Sequence, residues 1–316
     1  MRVVRLRTAA PDAARGGAVA IGNFDGVHRG HRALIADVRA RAAGIGAPSG
    51  VLTFEPHPRE FFARNAPPFR LTNFRARAIS LAETGIDFMA VLPFGREMAW
   101  KSAADFIDEV LVERLAVRHV TVGYDFAFGH KRAGNVAMLK AAGARKGFAV
   151  HVVEPVRGEG EIYSSTRIRD ALWQGEPRRA ADALGHWWEV HGRIARGDQR
   201  GRTIGFPTAN VRLGGYIEPQ FGVYAVQICW EDRFGAPVWH DGVANLGRRP
   251  TFNKTDVLLE VHVFDFAGDL YGRHARVRFI DFLRPEQKFS GLDALKAQIA
   301  ADAGQARTVL AALPKD

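Results

Sequence analysis

The spacing of apolar residues changes character once along this chain, near residue 185, and the change calls for two unlike architectures joined end to end. From residue 18 to about 173, short runs rich in β-branched residues alternate with amphipathic stretches. Strands are predicted at 18–22, 50–54, 88–92, 119–123 and 149–154. Helices are predicted at 31–43, 74–84, 102–115 and 133–146, with another beginning near Ser165. Parallel strands need crossover connections, so this alternation predicts an α/β half: a parallel sheet covered on both faces. After Gly185 the segments HWWEVHGRIA, GVYAVQICW, VWHDGVANL, DVLLEVHVFDF and HARVRFIDFL read as strands, separated by stretches rich in Gly, Pro, Asn or Asp. With no helices between them, a closed or nearly closed antiparallel β-barrel is the economical arrangement. Leu295, Ile299, Val309 and Leu310 then predict a terminal helix with an apolar face. The joint is read at DALWQGEPRRAADALG (170–185), which divides the chain into domains 1–185 and 186–316.

At 316 residues, two domains can each bury a core. The 47% hydrophobic and 25% charged content excludes a disordered chain. A net charge of 44 − 34 = +10 favours anionic partners, whether nucleotides, nucleic acid or acidic surfaces, and its sign alone does not choose among them. The only cysteine, Cys229, excludes an intramolecular disulfide and a cysteine-based zinc site. Its neighbours Val226, Ile228 and Trp230 predict a strand and an inert buried thiol. The opening MRVVRLRTAAPDAARGG lacks a signal-peptide core, and no stretch approaches the ~20 apolar residues that cross a bilayer. The expectation is a cytoplasmic protein.

Two constellations carry chemistry. The first strand runs into GNFDGVHRGH (22–31) and then a helix, a geometry that aims backbone N–H groups and a positive helix end at an anion. Gly22, Gly26 and Gly30 permit close backbone approach. His28 and His31 lie three apart at the helix entrance and can face one phosphate, though a pair of surface or metal-binding histidines has the same spacing. SSTRIR (164–169) follows the last predicted strand, where Ser165 or Thr166 can cap a helix and offer hydroxyls to phosphate. Arg167 and Arg169 are two apart and cannot share a helix face, so one of them reaches a ligand.

In the second half, GFPTAN places Thr208 and Asn210 on one side of an extended segment, a hydroxyl and an amide oxygen suited to Mg²⁺. An ordinary turn has the same composition. Gly197, Gly201 and Gly205 provide a loop able to fold over a nucleotide. Glu260 stands among Leu258, Leu259, Val261 and Val263; it either faces a pocket, where it could act as a base, or simply points outward. His262 shares its face and is read as structural or peripheral.

GNFDGVHRGH, LTFEPHPREFF (52–62), GYDFAFGHKRAG (123–134) and SSTRIR resemble the FMN adenylyltransferase module of bacterial bifunctional riboflavin kinase/FAD synthetases, within the HxGH nucleotidyltransferase superfamily. The resemblance implies a Rossmann-like parallel sheet. It also implies that His28 and His31 contact ATP phosphates, with Gly22, Phe24, Gly26, Ser165, Thr166 and Arg169 at the nucleotide and His57, Pro58, Asp125 and Arg132 on the flavin side. Tyr163 stands where the superfamily often has an aliphatic residue. GRTIGFPTAN, GVANLGRRPTF (242–252), LEVHVFDFAGDLYG (259–272) and LRPEQKFSGLDALKAQI (283–299) resemble the riboflavin kinase module, and the two likenesses together cover about residues 17–304. The second implies a six-stranded barrel. It places Gly205, Thr208 and Asn210 at Mg-ATP, with Glu260 activating the riboflavin 5′-hydroxyl and residues near the final helix holding the isoalloxazine ring.

The implied partners are therefore the small molecules ATP, riboflavin and FMN, with Mg²⁺, and neither nucleic acid nor membrane. Two rivals are an RNA-binding protein derived from an aminoacyl-tRNA synthetase and a flavin sensor with a dead site. Against the first, there is no KMSKS-like loop, and basic runs interleaved with aromatics are missing from the second half. Against the second, His28, His31, Thr208, Asn210 and Glu260 are all present.

Overall fold

A computed structural model of the chain describes residues 1–63, 65–158, 160–196, 206–230, 237–250 and 255–314. They form two compact units, one of Met1–Pro67 with Arg77–Ser164, the other of Pro68–Ala76 with Ser165–Asp316.

The first unit contains strands β1 (Arg2–Arg5), β2 (Ala18–Ile21), β3 (Ser49–Glu55), β4 (Phe88–Pro93) and β5 (His119–Gly123), a short ribbon of β6 (Ala127–Phe128) with β7 (Gly134–Asn135), then β8 (Ala149–Val153) and a second ribbon of β9 (Arg157–Gly158) with β10 (Glu161–Ile162). Six strands make one parallel sheet in the order β1-β4-β3-β2-β5-β8. The unbroken apolar run of β2 has a direct cause. Ala18 and Ala20 pack on one face against Ile35, Val38 and Leu81, while Val19 and Ile21 pack on the other against Leu52, Val120 and Val122. A strand buried on both faces cannot alternate. Each fully buried Val or Ile side chain contributes about 1.5–3 kcal/mol.

The chain lays β3 and β4 on one side of β2, then returns to place β5 on the other. Parallel sheets open a crevice at the carboxyl ends of the strands where the order reverses. The loop from Gly22 to His28 leaves β2 at that point and enters helix α1 (Arg29–Gly44). The other helices are α2 (Pro58–Phe62), α3 (Phe74–Ala82), α4 (Arg96–Trp100), α5 (Ala103–Asp105), α6 (Val136–Lys146), α7 (Ser165–Trp173) and α8 (Pro177–Leu184).

Several details differ from the sequence reading, among them a strand at Ala209–Arg212 and short helices at Pro58–Phe62 and Arg96–Trp100 that no predicted element covers. Strand β1 is additional: in RVVR only Val4 is buried, so an edge strand guarded by Arg2 and Arg5 shows no apolar run. The helix predicted at 102–115 is α5 continued by a π-helix over Phe106–Arg114. Phe106, Ile107, Val110 and Leu111 are its buried residues, and π segments are frequent at functional sites.

The second unit is a closed antiparallel barrel of β11 (Glu189–Ala195), β12 (Ala209–Arg212), β13 (Gly222–Trp230), β14 (His240–Pro250), β15 (Thr255–Val263) and β16 (His274–Pro285), ordered β11-β12-β15-β14-β13-β16. The terminal helix spans Leu292–Ala311, and its Ala306 and Leu310 pack with Val223, Ala225, Val243 and Ile280 of the barrel wall. Cys229 lies buried in β13, as its neighbours suggest, and burial pushes its thiol up to about 11.

Residues 170–185, read as a joint, carry the end of α7 and all of α8, which closes on Gly185 at φ 79. Both helices cluster with the barrel. So does the segment 68–76, through bonds donated by Trp188 Nε1 to the Leu71 carbonyl (2.8 Å) and by the Ile217 amide to that of Arg70 (2.8 Å). At the foot of the barrel Glu189 accepts hydrogen bonds from Arg276 (2.7 Å) and Arg278 (3.0 Å) and pairs with His191 (3.0 Å). Burial alone would raise its pKa, but these partners hold the carboxyl far below the ordinary range.

Candidate active sites

The loop after β2 is built largely of left-handed backbone: Phe24 has φ 51, Gly26 φ 87 and Val27 φ 44. Such conformations in residues other than glycine persist only where the surroundings enforce them, and they collect at functional sites. Here Phe24 and Val27 are fully buried in the core beneath α1. His28 is the N-cap of α1, its Nδ1 accepting the His31 amide at 3.3 Å, which leaves the neutral ring's proton on Nε2. The rings of His28 and His31 stack with centroids 3.6 Å apart and planes 25° apart.

Gly30 explains the middle of the motif. A Cβ there would lie 3.1 Å from the His28 ring and 3.3 Å from the Tyr163 carbonyl oxygen, so any side chain would push against the imidazole folded onto the first helical turn. That turn carries no acidic residue, which leaves the positive helix end uncompensated.

Beyond Gly22 and Asn23 opens a cavity of about 490 Å³ walled by Phe54, Phe94, Phe106, Phe126 and Phe128 and rimmed by Pro58, Asp125 and Arg132. An aromatic box with a few charged groups at its mouth suits a flat heteroaromatic ring carrying a phosphate. Of the four residues expected on the flavin side, Pro58, Asp125 and Arg132 line this cavity. His57 instead caps α2: its Nδ1 accepts the Arg59 amide at 3.1 Å, and Glu60 accepts its own amide at 3.3 Å. Arg59, Lys101 and Lys131, not singled out in the sequence, also line the cavity; Lys131 and Arg132 both have positive φ, 53 and 58.

Ser165 and Thr166 open α7, so Ser164 takes the position just before the helix. Arg169 donates from Nε to the Phe69 carbonyl (2.8 Å) and lies 5.5 Å from that residue's ring. Tyr163 follows β10, in the second ribbon rather than in the main sheet, with its amide bonded to Val156.

In the second unit, Leu259 and Val261 are fully buried inside the barrel, and Glu260 between them points to the opposite face. Strand register sets Asn210, Glu260 and Asn245 side by side on β12, β15 and β14, and carries the row on through Val223 to Arg284. Residues directly opposite one another on antiparallel strands share a face. Glu260, Asn245, Thr208 and Arg284 accordingly line one cavity of about 310 Å³, closed by Phe289 and by Leu295, Ile299 and Asp302 of the terminal helix. Between the two readings of Glu260, the cavity that the terminal helix closes over it settles on the pocket.

Asp302 is buried, accepting bonds from Arg284 Nε (2.9 Å), Arg284 Nη2 (2.7 Å) and Gln298 (2.9 Å), which fastens the helix to β16. His262 lines the same cavity and donates from Nδ1 to the Pro207 carbonyl (2.9 Å). Gly205, Gly197 and Gly201 lie outside the described residues. The residues that sequence reasoning missed, Asn245, Arg284 and Asp302, come together only through register and helix docking.

Among the described residues no helix is long and apolar enough to cross a membrane. A family model for FAD synthetase matches residues 10–167, and one for riboflavin kinase matches residues 184–310. The bifunctional riboflavin kinase/FMN adenylyltransferase of Escherichia coli (strain K12) is 44% identical over 287 residues, which is 91% of this chain and 90% of the relative. The protein of the same description from Haemophilus influenzae is 41% identical, covering 97% of this chain and 98% of its own. A crystal structure described as a macrolide-efflux protein from Streptococcus pneumoniae shares the chain course, with a TM-score of 0.85, 28% identity, and coverage of 97% of this chain and 99% of that one. The chain belongs to the bifunctional riboflavin kinase/FMN adenylyltransferase family and carries both activities, phosphorylating riboflavin to FMN and adenylylating FMN to FAD.

Proposed function

We propose that the two reactions occupy separate sites, adenylylation at the loop Gly22–His31 in residues 1–185 and phosphorylation at Glu260 in residues 186–316. The observation that carries the reading is the pairing of each motif with its own cavity.

For adenylylation, the FMN phosphate attacks the α-phosphorus of ATP, the bond to the β-phosphate oxygen breaks, and pyrophosphate leaves. A phosphate with its second pKa near 6 is ionised at neutral pH, so no general base is needed. Positioning and charge neutralisation do the work. The Nε2–H of His28 and the ring of His31 donate to phosphoryl oxygens. The aromatic cavity holds the isoalloxazine ring, with Pro58, Asp125 and Arg132 at its rim. Ser165, Thr166 and Arg169 are assigned to the nucleotide on their motif, and His57 is assigned to holding the α2 turn.

For phosphorylation, Glu260 takes the proton of the riboflavin 5′-hydroxyl as its oxygen attacks the γ-phosphorus and ADP leaves. Phe289, Leu295 and Ile299 supply an apolar wall for the ring. Thr208 and Asn210 offer two hard oxygen donors beside Glu260, a set that fits a cation sharing its coordination with phosphate and water rather than one caged by protein. They would hold Mg²⁺, which neutralises phosphate charge when bound. The proposed compartment is the cytoplasm.

The test is to incubate the protein with riboflavin, ATP and Mg²⁺, separate the flavins chromatographically, and repeat with Glu260→Gln and with His28→Ala/His31→Ala. The reading requires Glu260→Gln to convert supplied FMN normally while leaving riboflavin untouched, and the histidine variant to accumulate FMN. Loss of both activities in either folded variant would sink the two-site assignment.

A further inference from the structure

The peptide between Asn23 and Phe24 is held by two side chains from elsewhere in the first unit. Arg77, 1% exposed, donates from Nη1 to the Asn23 carbonyl at 3.0 Å, and Thr53, fully buried in β3, donates its hydroxyl to the same oxygen at 3.2 Å. The other arm of Arg77 bonds to the Glu55 carboxylate, which keeps the guanidinium in place and compensates its charge.

The Asn23–Phe24 peptide is trans, so its N–H projects away from the clamped carbonyl. Phe24 is 0% exposed, and its amide N–H has no acceptor among the described residues. It lies in the loop that carries His28, on a residue whose φ of 51 is itself imposed by the fold.

We propose that Arg77 and Thr53 are positioning residues for adenylylation: by holding the Asn23 carbonyl they fix the strained loop that carries Gly22 and Asn23 into the aromatic cavity and His28, with its Nε2 donor, to the start of α1. The inference rests on the assignment of the Gly22–His31 loop to adenylylation. It adds two residues outside every motif, one on β3 and one on α3. The physical advantage is that a donor oriented before the substrate arrives costs no reorganisation during the reaction.

The test measures kcat and KM for FMN adenylylation in Thr53→Val, Thr53→Ser, Arg77→Gln and Arg77→Lys, with riboflavin phosphorylation as the internal check on folding. Thr53→Val keeps the volume and loses the donor; kcat should fall roughly threefold to tenfold with little change in KM. Thr53→Ser should restore it. Arg77→Gln should lower kcat on the order of 10²-fold, and Arg77→Lys should recover part of that loss. Unchanged kcat in Thr53→Val, or equal loss in Thr53→Val and Thr53→Ser, would overturn the inference, and the Thr53 pair decides the matter even where Arg77→Gln folds poorly. His28→Ala/His31→Ala in parallel separates the two failures. FAD formation surviving there defeats the site assignment, whereas its loss alongside wild-type kcat in Thr53→Val defeats only the clamp.

Discussion

As proposed, the two sites reach phosphate chemistry by opposite means. In the first, the machinery is mostly backbone: a strained loop at the end of a central strand, a helix N-terminus, and two imidazoles stacked 3.6 Å apart above a glycine. In the second, it is a row of side chains set across strands by register, with Glu260 between Asn210 and Asn245. A parallel sheet offers its strand ends as a site, whereas a closed barrel has only its faces. The contrast is also chemical, because a phosphate nucleophile is already ionised and a hydroxyl is not. Only the barrel presents a carboxylate as the central group of its site.

The strongest challenge to this contrast is His28→Ala with His31→Ala, which should reduce FAD formation by about 10³-fold or more while riboflavin phosphorylation stays at the wild-type rate. Glu260→Gln should cut phosphorylation by about 10³-fold, with adenylylation of supplied FMN retained. If the first site turned out to need a base, its rate would follow a titration at about pH 7 to 8, above the second pKa of the phosphate near 6.

Stability separates the units as well. Glu189→Gln leaves Arg276 and Arg278 without their carboxylate and should destabilise the barrel by about 3 kcal/mol, read as a lower-temperature transition in calorimetry. Because the folded pKa of Glu189 is depressed, its contribution is present above the unfolded value of about 4.3 and is lost as pH falls below it. The wild-type barrel should weaken on that acid side, and the variant should show a flatter profile there. The smallest effect expected is for Gly30→Ala: the added methyl crowds the His28 ring, adenylylation falls about tenfold, and the melting temperature hardly moves, since alanine favours the helix. A stable variant with full activity would show that the ring stacking is dispensable.

Much of this was readable from residues alone. The sheet strands announced themselves because burial on two faces forces unbroken apolar runs, as in Ala18–Ile21. The barrel was legible from its turns. Strand β1 was not, because an edge is protected by charge and so reads as polar. Glu260 was ambiguous because alternation says which residues share a face but not which face meets a cavity; the terminal helix decides that. Arg77 was hidden among other arginines. A trace of it existed, since it lies four residues before the buried Leu81, on the apolar stripe of α3. Arg284 and Asp302 are eighteen positions apart and find each other only after the helix docks.

The terminal helix has one further consequence. It supplies a wall of the second cavity through Leu295, Ile299 and Asp302, so on a ribosome that wall emerges after the rest of the cavity's lining. The first unit is complete in sequence by Ser164, well before then, and domains fold as units during synthesis. The lining of the first cavity is thus synthesised in full while the second still lacks a wall.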